Sequence, residues 1–126
     1  MQSKKYKLWL FLLLGHFMTS CGANNMDTYQ QNQIDELSVK KSTDGRLVMT
    51  VTPMLETLYA CSGAVINEQS DAVLIKLVRC RINTKCPVDI DATPDPAKPG
   101  SYNMVLPQSE KPVKVDYRSS VVQVWP

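Results

Sequence analysis

The chain has 126 residues, 14 of them basic and 12 acidic, with a formal net charge of +2. This length fits one small domain. Removing Lys4, Lys5 and Lys7, which stand before an apolar run at the N-terminus, leaves 11 basic residues against 12 acidic ones. The remainder has no excess of positive charge, which argues against nucleic-acid binding.

The first 20 residues have the pattern of an export signal. The three lysines are followed by an apolar run from Leu8 to Leu14, which continues weakly to Met18. A basic flank before a run of about 11 apolar residues is typical of a signal peptide, whereas a helix that spans a bilayer needs about 20. We therefore predict that residues 1–20 are a removed signal peptide. An uncleaved anchor helix is the less favoured alternative.

The run ends in Met18-Thr19-Ser20-Cys21, followed by Gly22. This segment resembles the lipobox of bacterial lipoproteins, in which an apolar residue and two small residues precede an obligatory cysteine, although Met18 stands where Leu is usual. The resemblance covers only residues 1–22. It implies that signal peptidase II cuts before Cys21 and that its thiol carries diacylglycerol. Because Gly22 resembles the outer-membrane class, it also implies a lipid-anchored protein at the outer membrane of the cell envelope, facing the periplasm.

The rest of the chain divides at residue 37. Residues 22–36 are polar and lack hydrophobic periodicity, so we predict a lipidated tether over residues 21–36, with a short helix as the alternative. From residue 37 the pattern is that of β-structure. Two hairpins are predicted, with turns at residues 42–45 and 67–71.

Four shorter strands are predicted after the hairpins, at Val88–Ile90, Tyr102–Leu106, Val113–Tyr117 and Val121–Trp125. The prolines between Asp91 and Ser101 predict an exposed loop, because proline supplies no donor to a strand ladder. Seven or eight strands at this spacing predict an all-β domain over residues 37–126, a small antiparallel β-sandwich. A small open β-barrel is the main alternative.

Three cysteines, Cys61, Cys80 and Cys86, follow Cys21. An exported chain meets an oxidising compartment, so we expect one disulfide and one leftover thiol. A hairpin that turns about Gln69 would place Cys61 opposite Leu77, which argues against a direct Cys61–Cys80 bridge. Cys80 and Cys86 lie symmetrically about Asn83 and can close a tight loop, so we favour this pair. A Cys61–Cys86 bridge is the next alternative, because spacing does not fix connectivity. The leftover thiol is expected to be buried rather than reactive.

Catalytic and metal-binding patterns are absent from the mature sequence. The only histidine, His16, lies in the predicted signal peptide, so no imidazole can serve Cys–His or Ser–His–Asp catalysis. The spacing of Cys80 and Cys86 is not Cys-x-x-Cys. Asp89–Asp95 resembles the start of a calcium loop but has Pro94 where the turn glycine belongs. We therefore expect no enzymatic activity, no cofactor and no metal.

The remaining candidates are surfaces for a partner. Arg79 and Arg81 alternate along a predicted strand and share a face, with Lys85 nearby; they are a candidate site for an acidic partner, and a merely solvated face is the alternative. Loop 94–100 is the other candidate. We predict a lipid-anchored envelope protein with a protein partner, a non-enzymatic binding or accessory subunit of an envelope assembly such as a secretion or pilus machine. The alternative is an envelope-anchored inhibitor of a hydrolase or lytic enzyme, in which the Arg79–Cys86 segment or the proline loop enters the target.

Overall fold

The computed structural model describes residues 26–126, which form two packed β-sheets. The predicted all-β sandwich is confirmed. No helix within this range has the length and hydrophobicity needed to span a bilayer. The described residues contain one 3₁₀ turn, Gln31–Gln33, and ten strands: β1 (Met26–Thr28), β2 (Ile34–Lys41), β3 (Leu47–Pro53), β4 (Tyr59–Glu68), β5 (Val73–Arg81), β6 (Ile90–Asp91), β7 (Thr93–Pro94), β8 (Tyr102–Val105), β9 (Val113–Asp116) and β10 (Val121–Trp125).

The first sheet has the strand order β10-β9-β5-β4-β6, with β1 also paired to β5, and the second has the order β2-β3-β8-β7. All pairs are antiparallel except β5 with β9, which is the one departure from the predicted antiparallel pattern. Two strands share one edge of β5, because β9 pairs with Val73–Ile75 and β1 with Val78–Cys80. The centre of the sheet therefore brings together segments far apart in sequence.

Both predicted hairpins are present. In the first, the carboxylate of Asp44 accepts a hydrogen bond from the hydroxyl of Ser42, and Gly45 supplies the left-handed conformation that closes the turn. The second has a different register from the one expected: Cys61 lies opposite Arg79, not Leu77. The Gln69 N–H donates to the Ala72 carbonyl at 2.8 Å, which moves the turn centre to between Ser70 and Asp71. That turn alone would place Cys61 opposite Cys80, and the bulge between Cys61 and Gly63 moves the pairing back by one residue, to Arg79.

The second half of β5 is buried on both faces, whereas on the outer face of its first half Leu74 is half-buried and Lys76 exposed. Val73, Ile75 and Leu77 belong to the main core between the sheets. Val78 and Cys80 alternate with them and face a second, smaller apolar cluster. The members that complete this second cluster are Cys86 and the half-buried Val65 and Val88. The chain after β5 thus folds back over the outer face of the first sheet.

The predicted tether is contradicted over residues 26–36, which belong to the folded domain. They contain β1, the 3₁₀ turn and the start of β2. Tyr29 is only 1% exposed, and its N–H donates to the carbonyl of Leu77 at 2.9 Å. The sequence does not predict β1, because this strand has no apolar face of its own. It is held in place by long-range pairing with β5. Residues 21–25, like the predicted signal peptide, lie outside the described residues.

Candidate functional site

The chemistry-bearing residues gather at one end of the sandwich, where β5 ends and β4 begins. Arg79 lies there on the same face of β5 as the core residue Leu77. Its Nε donates to both carboxylate oxygens of Glu56, at 2.8 and 3.1 Å, and its Nη2 also bonds to Glu56. The guanidinium carbon lies 3.8 Å from the centre of the Tyr59 ring. The side chains of Arg79 and Glu56 are only 18% and 10% exposed, so Arg79 does not present the exposed cation that the sequence predicted.

These contacts make Arg79 a structural residue. The hydrogen bonds from Arg79 lower the pKa of Glu56, and those to Glu56 raise the pKa of Arg79. Asp27 of β1 lies 3.7 Å from Arg79 Nη1 and 3.3 Å from Arg118 Nη1, and Arg118 also donates to the Thr28 carbonyl at 3.2 Å. The cluster therefore ties the β3–β4 loop and β1 to the end of β5.

Arg81 and Lys85, the other two residues of the predicted cationic patch, are exposed. Within residues 26–126, neither has a carboxylate oxygen within 4.0 Å. They lie in or beside the loop that the predicted Cys80–Cys86 disulfide closes; this disulfide is confirmed, with the two Cα atoms 6.0 Å apart. The predicted three-residue patch is therefore reduced to two free cations on a cross-linked loop.

Cys61 is the leftover thiol, and the prediction that it is buried is confirmed. Burial raises its pKa to about 11, so the thiolate is scarce at neutral pH. Ala60, not Cys61, stands opposite Cys80 in the β4–β5 ladder. Successive side chains point to opposite faces of a strand, so Cys61 faces the main core and Cys80 the second cluster. This geometry explains why these two cysteines do not pair.

A cleft of about 690 Å³ lies beside the disulfide, lined by Ser62, Thr84, Lys85, Cys86, Pro87, Val88 and Asp91. The hydroxyl oxygen of Ser62 is buried there without a hydrogen-bond partner. A serine nucleophile needs a base, and the described residues include no histidine. Among residues 26–126, no three His, Cys, Asp or Glu side chains form a group that could hold a metal ion.

The proline loop is exposed over residues 96–100, as predicted, and folded on itself. The prediction of a loop throughout is wrong at Thr93–Pro94, which form β7 and pair with β8. The carboxylate of Asp95 accepts the Ala97 N–H at 3.0 Å, and the Asp95 N–H donates to the Ser101 carbonyl at 2.9 Å. Lys98 forms an ion pair with Glu36 of β2. Asp89, the first residue of the calcium-like segment, accepts the Ile66 N–H at 2.7 Å. The Asp89 carboxylate thus binds the backbone of β4 and is not free to bind a cation.

The outer edge of β10 is a further candidate site, which becomes apparent only from the sheet topology. Among residues 26–126, β10 is hydrogen-bonded only to β9, and the nearby β2 of the second sheet does not pair with it. The strand has no charged residue, and Val121 is 55% exposed. A bulge interrupts pairing between Gln123 and Trp125, so the regular edge is Val121–Gln123. Exposed edges are usually protected by charges or prolines, as the acidic and lysine residues of β2 protect the other long edge.

Comparison of the chain with protein-family models, with curated proteins and with solved structures finds no match. The function is therefore inferred from the residues and geometry described above.

Proposed function

We propose that this chain is a lipid-anchored protein of the bacterial cell envelope, most consistent with the outer membrane, and a non-enzymatic binding or accessory subunit of an envelope assembly such as a secretion or pilus machine. The lipobox-like residues Met18–Cys21 support the anchor. The Cys80–Cys86 disulfide supports export, because disulfides persist in oxidising compartments. The buried Cys61 thiol and the base-free Ser62 hydroxyl support a role without catalysis.

The observation that carries the binding role is the uncharged outer edge of β10. A partner strand can add to such an edge through backbone hydrogen bonds, with side-chain pockets giving specificity. The regular edge, Val121–Gln123, has no charge to repel an incoming strand. Lipid attachment needs only the N-terminal residue, so the edge remains available to a protein partner. We propose that the partner contributes a β-strand here.

The lipid anchor is tested by mass spectrometry of the protein purified from bacterial envelopes. The N-terminal peptide is expected to begin at Cys21 and to carry diacylglycerol. Cys21→Ala should accumulate as an unlipidated precursor, whereas Cys61→Ala should be processed normally, because Cys61 lies in the folded core. A mature terminus elsewhere, or an unmodified Cys21, would contradict the anchor.

The binding role is tested with charges placed on the edge. Val121→Lys with Gln123→Lys puts two ammonium groups where a partner strand would lie, and their desolvation should weaken partner recovery from solubilised envelopes by at least about tenfold. Val105→Lys is the matched control, since Val105 is 47% exposed on β8 in the other sheet. The partner must be one protein, identified with the unaltered chain and with the control. Its retention by the edge variant would refute strand addition at β10.

A further inference from the structure

Four apolar side chains form an exposed group at the end of the sandwich that also holds the disulfide loop. We call Met54, Leu55, Leu58 and Ile82 the apolar tip. Leu55 is 95% exposed, and the other three are exposed by 37% to 53%. The Ile82 N–H donates to the Leu58 carbonyl at 2.9 Å, which joins the β3–β4 loop to the end of β5. Single exposed apolar residues are ordinary, but four on one loop and the strand end bonded to it point to a contact surface.

Positive charge flanks the apolar tip. Arg81 precedes Ile82, and Lys85 lies in the same cross-linked loop; both are exposed, with no carboxylate oxygen within 4.0 Å among residues 26–126. The acidic residue inside the β3–β4 loop, Glu56, is turned onto Arg79 and only 10% exposed. Apolar side chains beside unpaired cations suit an anionic bilayer, where the former enter the headgroup boundary and the latter meet lipid phosphates.

The position of β1 places the N-terminal side of the chain at the same end. β1 runs antiparallel to β5, with Met26 opposite Cys80 and Thr28 opposite Val78. The chain that precedes Met26 therefore joins the domain beside Arg81 and Ile82. Cys21 is five residues before Met26, and five residues span at most about 18 Å when fully extended. A lipid on Cys21 would hold Met26, at the same end of the sandwich as the apolar tip, within that distance of the bilayer.

We infer that the apolar tip, together with Arg81 and Lys85, docks on the anionic phospholipid surface to which the chain is anchored. This inference rests on the proposed lipid attachment at Cys21. Two points of contact, the lipid and the tip, fix the orientation of the domain where the lipid alone would leave it free to rotate. The strands then stand off the membrane, and the outer edge of β10 stays open to a partner.

The test uses the lipidated full-length chain in vesicles of phosphatidylglycerol and phosphatidylethanolamine with brominated acyl chains, which quench nearby tryptophan. Leu55→Trp reports on the tip. Val105→Trp is the control, because Val105 pairs with Val48 near the far end of the second sheet. After subtraction of the emission of the unaltered chain, quenching of Leu55→Trp should reduce its signal about twofold or more, as expected for a side chain in the headgroup boundary. Val105→Trp should keep its signal.

The role of the cations is tested in the Leu55→Trp background. Each basic residue near an anionic surface adds about a fivefold preference for the bound state, so Arg81→Glu with Lys85→Glu should lower the docked-to-free ratio by about 25-fold or more. Lys40→Glu with Lys41→Glu is the matched control, since both residues are exposed at the opposite end of β2. Raising the ionic strength should weaken docking of the unaltered tip.

The outcomes separate the tip from the anchor. Diacylated Cys21 and co-flotation with vesicles, without quenching of Leu55→Trp, would overturn docking of the tip and leave the anchor standing; a tip that serves a protein would give this result. Equal quenching of both tryptophans would also overturn it, because the orientation would not be fixed. An unlipidated chain that does not float would overturn the anchor and the inference together.

Discussion

Arg79 offers the sharpest test of what holds the domain together. Arg79→Met keeps an apolar stem of similar length but removes the guanidinium, so Glu56 loses its hydrogen bonds and Tyr59 its cation contact. Exposed ion pairs contribute at most about 1 kcal/mol, whereas loss of one partner of a fully buried pair costs about 3–5 kcal/mol. With side chains 18% and 10% exposed, the pair lies between these cases. We expect the free energy of unfolding to fall by about 2 kcal/mol.

For a domain of this size, each kcal/mol moves Tm by about 4–8 °C, so Arg79→Met should melt about 8–16 °C lower in circular dichroism at pH 7. The control Arg81→Met removes an exposed cation and should cost less than about 0.5 kcal/mol. Combining Arg79→Met with Glu56→Gln should restore part of the loss, because no carboxylate is then left half-buried without a partner. Equal melting temperatures for Arg79→Met and Arg81→Met, or strictly additive losses in the double variant, would refute this account.

Three further predictions concern the acid stability of the domain, a close backbone approach at Gly63 and the disulfide. The pKa of Glu56 is lower in the folded state than its unfolded value of about 4.3, so Glu56 contributes to the free energy of unfolding above that pH, and this contribution is lost as the pH falls through the folded pKa. Glu56→Gln should therefore make the free energy of unfolding less dependent on pH in this acid range. An unchanged profile would contradict the pairing with Arg79. Gly63→Ala would bring a Cβ within 2.0 Å of a β6 carbonyl oxygen, so it should destabilise by more than Gly45→Ala, whose Cβ meets nothing within 4 Å; urea denaturation compares the two, and equal losses would refute the clash. Cys80→Ser with Cys86→Ser opens a short loop and should lower the free energy of unfolding by about 2 kcal/mol in urea denaturation. An unchanged free energy of unfolding would show that the disulfide does not stabilise the domain.

Local signals in the sequence predicted much of the fold. Both hairpins follow from turn residues between β-rich runs, and the bridge from the symmetric spacing of Cys80 and Cys86. The β4–β5 register was wrong, because neither the turn closed by Gln69 nor the bulge near Gly63 is marked by hydrophobic alternation. A register error of this kind changes which residues face each other without changing which strands pair.

Long-range features escaped the sequence. β1 is three residues long, and its partners in β5 lie fifty or more residues away, so no local pattern identifies it. The available signal was Tyr29, a lone aromatic residue in a polar stretch. The sequence predicted an exposed Arg79, because its partner Glu56 lies in the β3–β4 loop and no local pattern connects the two residues. The sequence shows that Val121–Trp125 has no charged residue. Only the topology shows that this strand lies at the edge of its sheet.

The pairing of β1 with the end of β5 also determines how the domain bears force. A pull applied at the N-terminal side of Met26, directed away from the body, acts along the axis of β1. The β1–β5 hydrogen bonds are then loaded in shear, all at once, and are not peeled apart one after another. Asp27 of β1 also contacts Arg79 and Arg118, which holds the strand further. The side chain of Tyr29, which follows β1, is buried in the core and must leave it before the strand can slide. This N-terminal junction, which the proposed lipid anchor would load, is thus built as a mechanical clamp.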